Sequence, residues 1–319
     1  MHNDPLYPTQ SRIEAAHDRI RAYIHRTPIL TCGTLNGMSG AEIYFKCENF
    51  QKIGAFKARG GVNAVLSLTP EEQARGIATH SSGNHAQAIA YAASVVGTQA
   101  YIVMPDNSPE VKVAAVRGYG AEVTFCTNTP EERERTLQEV VARTGAVFVH
   151  PFNDYAVIAG QATAAKELIE DAGVPLVTIL APVGGGGLLS GTALATHYFS
   201  PGTHVIAGEP EGAADAILSF KTGKIEKAPY VKTIADGLLT YLGDKTLPII
   251  LDHVTDILTV SDDEIIAAMR LIWERMKIVI EPSCAVPFAA LLKNRERFAG
   301  QKIGIILTGG NVDLGKLPF

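Results

Sequence analysis

Apolar residues recur along this chain in two alternating rhythms. Short runs rich in β-branched and aromatic residues, such as Ile43-Tyr44-Phe45-Lys46-Cys47, give way to stretches whose apolar positions return every three or four residues. The first helical stretch is read over 11–26, with Ile13, Ala16, Ile20 and Ile24 on one face, Ser11 as N-cap and Glu14 three residues on. Strand-like runs at 76–79, 100–104, 122–125 and 147–149 then alternate with helical ones at 84–96, 109–117 and 130–143. A second set follows Pro151, with helices read at 156–170, 188–197, 262–277 and 285–293 and strands at 176–180, 204–208, 257–260 and 302–307. Alternation of this kind implies βαβ units and mostly parallel sheets, so the fold class is α/β, in two open-sheet units.

Composition narrows the function classes more than the fold. With 319 residues, 46% hydrophobic and 19% charged, the chain suffices for one large or two modest globular domains. A net charge of −5 leaves no basic footprint, so neither nucleic acid nor a membrane surface is an expected partner. No apolar run approaches the length of a bilayer span, and Met1-His2-Asn3-Asp4-Pro5-Leu6 lacks the pattern of a secretory leader. Cys32, Cys47, Cys126 and Cys284 are scattered, with no C-x-x-C pair, and read as reduced thiols of a cytoplasmic protein.

Chemistry concentrates where strands end. Lys57, in Phe56-Lys57-Ala58-Arg59-Gly60-Gly61, falls in the first turn of a helix, where the dipole disfavours a surface cation. A partly desolvated lysine has a lowered pKa and forms Schiff bases with aldehydes. Gly184-Gly185-Gly186-Gly187 separates a strand from a helix opening at Leu188, which suits backbone N–H groups to an anion such as a phosphate. A tight turn and a dinucleotide loop are the rival readings. The third glycine of G-x-G-x-x-G falls on Leu189 or Ser190, so the dinucleotide pattern is not matched. Ser81-Ser82-Gly83-Asn84-His85 again aims free N–H groups at an anion, read as a substrate α-carboxylate, although alone it reads as a capped turn. Glu209 and Asp215, with the Ala213 carbonyl, offer hard oxygen ligands, while as residues of a polar loop they read as solvated acids.

Four motifs stand in order: Asn49 to Gly60, Ser81 to His85, Gly184 to Leu188, and Thr308-Gly309-Gly310-Asn311-Val312-Asp313. Together they resemble the signatures of the fold-type II pyridoxal-phosphate enzymes, specifically the serine racemase and serine/threonine dehydratase family, which includes 3-hydroxyaspartate dehydratases. The similarity runs from about Thr27 to Asp313. It implies a tryptophan synthase β-like fold, with a small domain (76–149) inserted into a large one (1–75 and 150–319) and the cofactor between them.

Residue by residue, the resemblance implies that Lys57 carries pyridoxal 5'-phosphate and that Phe56 packs on its ring. Asn84 would bond the ring hydroxyl and Gly184 to Leu188 the phosphate. Thr308, where the family commonly has serine, would bond the pyridine nitrogen, and its extra methyl group would shift the ring slightly. Ser82 would stand on the face opposite Lys57, and Ser81, Ser82, Gly83, Asn84 and His85 would bind substrate. A neutral hydroxyl on the ring nitrogen makes a mild electron sink and favours β-elimination. Glu209, Ala213 and Asp215 match a Mg²⁺ (or Ca²⁺ or Mn²⁺) site, and Gln87 and Tyr119 match positions lining an ATP effector site. Arg133 corresponds to an arginine that can approach a dicarboxylate, although a charged helix face with i,i+3 pairing is its ordinary reading. His150 and Asn153 are further candidates for a polar substrate side chain.

The activity implied is loss of water and ammonia from a small β-hydroxy amino acid (3-hydroxyaspartate, serine or threonine), catalysed by Lys57 and Ser82 in a homodimer. Serine racemisation is the near alternative. A catalytically silent amino-acid or nucleotide-binding module is the remote one, opposed by the joint presence of Lys57, Ser82, Asn84 and the four glycines.

Overall fold

A computed structural model describes residues 7–108 and 110–319. Met1 to Leu6, the start read as lacking a leader pattern, and Pro109, the expected head of a helix, lie outside the described residues. The strands are β1 (Ile29–Leu30), β2 (Glu42–Cys47), β3 (Ile77–His80), β4 (Ala100–Pro105), β5 (Glu122–Cys126), β6 (Val147–Phe148), β7 (Thr178–Pro182), β8 (His204–Pro210), β9 (Asp256–Val260) and β10 (Lys302–Leu307). They form a six-stranded sheet, β1-β2-β10-β7-β8-β9, and a four-stranded sheet, β5-β4-β3-β6. Every pairing is parallel except β1 with β2. Strands covered on both faces read as near-continuous apolar runs, as Leu180-Ala181 in β7 and Ile303 to Leu307 in β10 do.

Helices lie where the apolar period places them, with bounds shifted by local chemistry. The first runs over Gln10–Ile20, capped by Thr9, whose hydroxyl accepts from Arg12 N at 3.4 Å. Ser11 is therefore inside the helix and not its cap, and Ile24 packs from the turn beyond it. The helix Asn84–Val96 ends on Gly97 at φ 72°. Asp262–Met276 opens with a capping box between Ser261 and Glu264. The helices Gly33–Ser39, Asp215–Thr222 and Thr246–His253 add to those expected.

Helices Lys57–Leu66, Tyr155–Asp171 and Gly187–Phe199 stack closely, aided by small residues. A Cβ on Gly191 would lie 2.7 Å from Ala162 N, and one on Gly160 would lie 2.6 Å from Arg59 O. Within this layer sits a fully buried ion cluster. Arg59 donates to Glu48 (2.7 and 2.8 Å) and to Glu167 (2.8 and 2.7 Å), and Lys46 donates to Glu167 and to Thr27 O, each at 2.7 Å. Burial opposes these charges, and hydrogen bonds from His17 and Arg59, with the charges of Arg59 and Lys46, hold Glu167 below the usual carboxylate range. The cluster anchors the helix that Lys57 begins.

No helix among the described residues is long and apolar enough to cross a membrane. All four cysteines are free.

Candidate active site

Lys57 is the first residue of its helix, and Phe56 at the N-cap supplies no capping side chain. The entry loop is bent at Ile53 (φ 60°) and Gly54 (φ 70°), a left-handed pair that is strained for isoleucine. It is fastened to the loop after β10 by four contacts: Asn311 Nδ2 to Ile53 O (2.8 Å), Gly310 N to Gly54 O (2.9 Å), Phe56 N to Thr308 O (2.9 Å), and a bridge between Ala55 and Gly309. The Lys57 amine donates to Pro151 O at 2.8 Å and stands 5.3 Å from the Phe56 ring centroid. Burial lowers its pKa to about 8.

The Ser81 to His85 loop follows β3. Ser81 Oγ accepts from Gly83 N at 3.2 Å, and the helix Asn84–Val96 starts without a side-chain cap. The Ser82 hydroxyl is half-buried and has no hydrogen-bond partner among the described residues. Asn84 Oδ1 accepts from Asn311 Nδ2 and its Nδ2 donates to Glu281 Oε1, both at 2.8 Å, which leaves one N–H free. His85 is buried with Nε2 3.3 Å from Val149 O and Nδ1 unpartnered. Burial, then the Lys57 charge, holds its pKa well below the ordinary value.

The glycine loop follows β7. Gly186 is the N-cap of Gly187–Phe199, so the helix start has no side-chain acceptor, and the N–H groups of Gly184 to Leu188 find no partner among the described residues. Thr246 Oγ1 donates to Gly185 O at 3.0 Å. His150 Nδ1 accepts from Asn153 N at 2.9 Å, and burial, then His80 and Lys57, lowers its pKa to about 4. Lys57 thus sits among three loops, two of which present unpartnered backbone donors.

Arg133 differs from its ordinary reading. The i,i+3 pair on that helix joins Arg135 to Glu132 at 2.8 Å, while Arg133 bonds Asn128 and its Nε is buried with no partner among the described residues. Its charge bears on His80, at the end of β3. Asn153 faces away from this group, with Nδ2 on Asp244 Oδ1 at 2.6 Å and Oδ1 on Lys245 N at 2.9 Å.

Glu209 and Asp215 are not the solvated loop residues of the ordinary reading: β8 extends through Glu209 to Pro210, Asp215 opens the helix Asp215–Thr222, and they are buried, at 1% and 3% exposure. Glu209 accepts from Ala216 N (2.6 Å) and Ile217 N (3.0 Å), and burial, then Asp215, raises its pKa to about 8. Burial raises Asp215 to about 6, its Oδ2 has no partner, and Ala213 beside them is buried. Among the described residues no three His, Cys, Asp or Glu side chains form a metal-ligating group. Gln87 is buried, and Tyr119 packs edge-on to Tyr91 at 5.7 Å.

Sequence reasoning missed Glu281. It caps the helix Pro282–Lys293, bonds Asn84, and lies against Gly309, where a Cβ would come within 2.6 Å of its Oε1. A glutamate before a proline-led helix reads as an ordinary helix start, and no sequence signal set it apart. Lys112, in the helix Glu110–Gly118, pairs with Asp236 at 2.5 Å, a contact 124 positions apart that no local sequence pattern announces.

Comparison with known proteins agrees with this arrangement. The family model described as pyridoxal-phosphate dependent enzyme matches residues 20–309. A beta-hydroxyaspartate dehydratase from Paracoccus denitrificans is 52% identical over 98% of this chain and 99% of its own length. The L-threo-3-hydroxyaspartate ammonia-lyase of Saccharomyces cerevisiae is 47% identical over 97% of this chain and 95% of its own. The crystal structure of serine racemase from Dictyostelium discoideum superposes with a TM-score of 0.91 at 49% identity, covering 96% of this chain and 99% of that one. With a lysine at an uncapped helix start between two loops of free backbone donors, and with a match over nearly its whole length, the chain belongs to the pyridoxal-phosphate-dependent enzyme family.

Proposed function

We propose that this protein is a pyridoxal-phosphate-dependent ammonia-lyase that removes water and then ammonia from a 3-hydroxyaspartate. The residues present fit the cofactor. Five unpartnered N–H groups at Gly184 to Leu188 suit its phosphate, the spare Asn84 N–H its ring hydroxyl, and the buried Thr308 hydroxyl its ring nitrogen. When bound, pyridoxal phosphate supplies an aldehyde for imine formation with amines and a ring that delocalises the electron pair left on Cα.

The chain supplies the rest. The Ser82, Asn84 and His85 N–H groups, unpartnered at the helix start, bind the α-carboxylate. Lys57, with a pKa of about 8, has enough neutral amine near pH 7 to take the Cα proton. The Ser82 hydroxyl, without a partner among the described residues, can hand a proton to the departing β-hydroxyl. The freed enamine tautomerises to an imine, and water hydrolyses this to a 2-oxo acid and ammonia.

The observation that carries the substrate choice is Arg133. Its buried Nε has no acceptor among the described residues and its charge bears on His80, the neighbour of Ser81, which fits a second carboxylate that serine and threonine lack. Two of the relatives are named for hydroxyaspartate. Serine racemisation is the second reading, supported by the unbonded Ser82 hydroxyl and the 49% identity to a serine racemase. The division into 1–75 plus 150–319 and 76–149 belongs to this proposal. So does a divalent cation, Mg²⁺ in the first place, at Glu209, Asp215 and the Ala213 carbonyl, supported by the buried, unpartnered Asp215 Oδ2. A homodimer, an ATP effector at Gln87 and Tyr119, and a cytoplasmic location complete the reading on the resemblance alone.

The test is 2-oxo acid release from L-serine, L-threonine and the 3-hydroxyaspartate stereoisomers, with and without Mg²⁺. Hydroxyaspartate should be preferred, and Arg133→Ala should cut its kcat/KM by about 10- to 100-fold while sparing serine. Slow turnover of serine with D-serine appearing, and indifference to Arg133→Ala, would select the racemase.

A further inference from the structure

Backbone freedom explains only one of the four glycines in the anion loop. Gly186 has φ 86°, and the other three have no left-handed backbone. At those three, what excludes a side chain is a neighbour. A Cβ on Gly184 would lie 3.0 Å from Leu238 Cα. One on Gly185 would lie 2.3, 2.4 and 2.5 Å from Cδ1, Cγ and Cε1 of Phe152, and one on Gly187 would lie 2.9 Å from Phe152 Cβ and 3.0 Å from its Cα. A single aromatic residue therefore accounts for two of the glycines.

Phe152 is itself held firmly. Its ring packs edge-on to His150 with centroids 4.6 Å apart, and its N–H points to His150 Nδ1 at 3.3 Å. The next residue, Asn153, is pinned to Asp244 and Lys245, and the one before it, Pro151, accepts the Lys57 amine. Consecutive glycines have little intrinsic reason to keep one conformation, because their peptide planes rotate at low steric cost. The loop must nevertheless hold five donors away from partners in the protein, an arrangement that relaxation would remove.

We infer that Phe152 is a positioning residue for this loop: its ring and backbone, pressed on Gly185 and Gly187, supply the packing the glycines lack and keep their N–H groups turned toward a bound phosphate. The inference rests on the reading of Gly184 to Leu188 as the phosphate site, and it assigns Phe152 no contact with substrate.

The experiment titrates the apoenzyme with pyridoxal 5'-phosphate and with pyridoxal, which lacks the phosphate, following the absorbance of the lysine-bound aldehyde. The native protein should bind the phosphorylated aldehyde about 100-fold or more tightly than pyridoxal. Phe152→Ala should lose about tenfold or more of the affinity for the phosphorylated form only, and Phe152→Tyr, which keeps the contacting ring atoms, should retain it. Gly185→Ala should lose affinity in the native background and regain about tenfold when combined with Phe152→Ala, because the methyl then has room. Should Phe152→Ala not fold, Phe152→Leu carries the same comparison. No preference for the phosphate in the native protein would overturn the reading of the loop and the inference with it. A native preference that Phe152→Ala leaves undiminished, or an equal loss of both aldehydes, would overturn the inference alone.

Discussion

Replacing Glu281 by glutamine should make the stability of the apoenzyme less sensitive to pH. The residue is 5% exposed, and burial, reinforced by the Asp236 charge, raises its pKa from 4.5 to about 8 against the opposing Lys112 charge and the donors Asn84 and Asn311. Between these values the unfolded chain has released the proton and the folded one still holds it, so stability present below pH 4.5 is lost as pH rises toward 8. At 1.36 kcal/mol per unit, the loss amounts to at most about 5 kcal/mol. Glutamine keeps the acceptor for Asn84 and carries no proton to lose. The difference in unfolding free energy between Glu281→Gln and the native protein, from urea titrations between pH 5 and 8.5, should therefore rise with pH by about 1 kcal/mol per unit and level off above 8. Other titrating groups are common to both proteins and cancel. Parallel curves for the two would refute the burial argument.

Three further outcomes follow from the same site and its support. Capture of pyridoxal phosphate by the apoenzyme should accelerate with pH and level off above about 8, since burial lowers the Lys57 pKa and only the neutral amine attacks; a rate flat from pH 6 to 9 would count against it. Arg59→Met leaves Glu48 and Glu167 buried without their shared cation, which should cost about 3–5 kcal/mol in urea unfolding; a loss under about 1 kcal/mol would mean that the cluster is solvated. Mg²⁺ should raise the melting temperature of the native protein and not that of Asp215→Ala, and an equal rise in both would place the cation elsewhere.

Most strand positions were legible because fully covered strands leave unbroken apolar runs, and Lys302 to Leu307 was read to its final residue, whereas the order of strands in the sheets was not. Helix ends were less so. Thr9 and Ser11 are both good caps, and only the geometry of Arg12 N decides between them. The helix Gly33–Ser39 went unread since its own residues, two glycines among them, favour other conformations; burial of Leu35 and a bond from Ile43 N to Asn36 Oδ1 (3.1 Å) hold it. In the site, Lys57 and the glycines announce themselves by composition. Glu281 and Phe152 do not, because a glutamate before Pro282 and a phenylalanine after Pro151 acquire meaning only from Asn84 and Gly185, which the fold brings to them. The acids Glu209 and Asp215 were placed in a loop because β8 was ended two residues early, at Gly208, and because the helix that Asp215 begins went unread.

The buried cluster around Arg59 also constrains the order in which a nascent chain can be completed. Lys46, Glu48 and Arg59 are synthesised well before Glu167, which stands 108 positions beyond Arg59. Until that residue emerges, two cations share one carboxylate, and no arrangement of them can be dehydrated without leaving a charge unmatched. The helix beginning at Lys57 therefore settles only when Tyr155–Asp171 docks against it, after the whole four-stranded sheet has left the ribosome. A translation product arrested within that sheet would carry the lysine motif intact and still offer an aldehyde no built pocket, so reactivity toward the cofactor is withheld from incomplete chains.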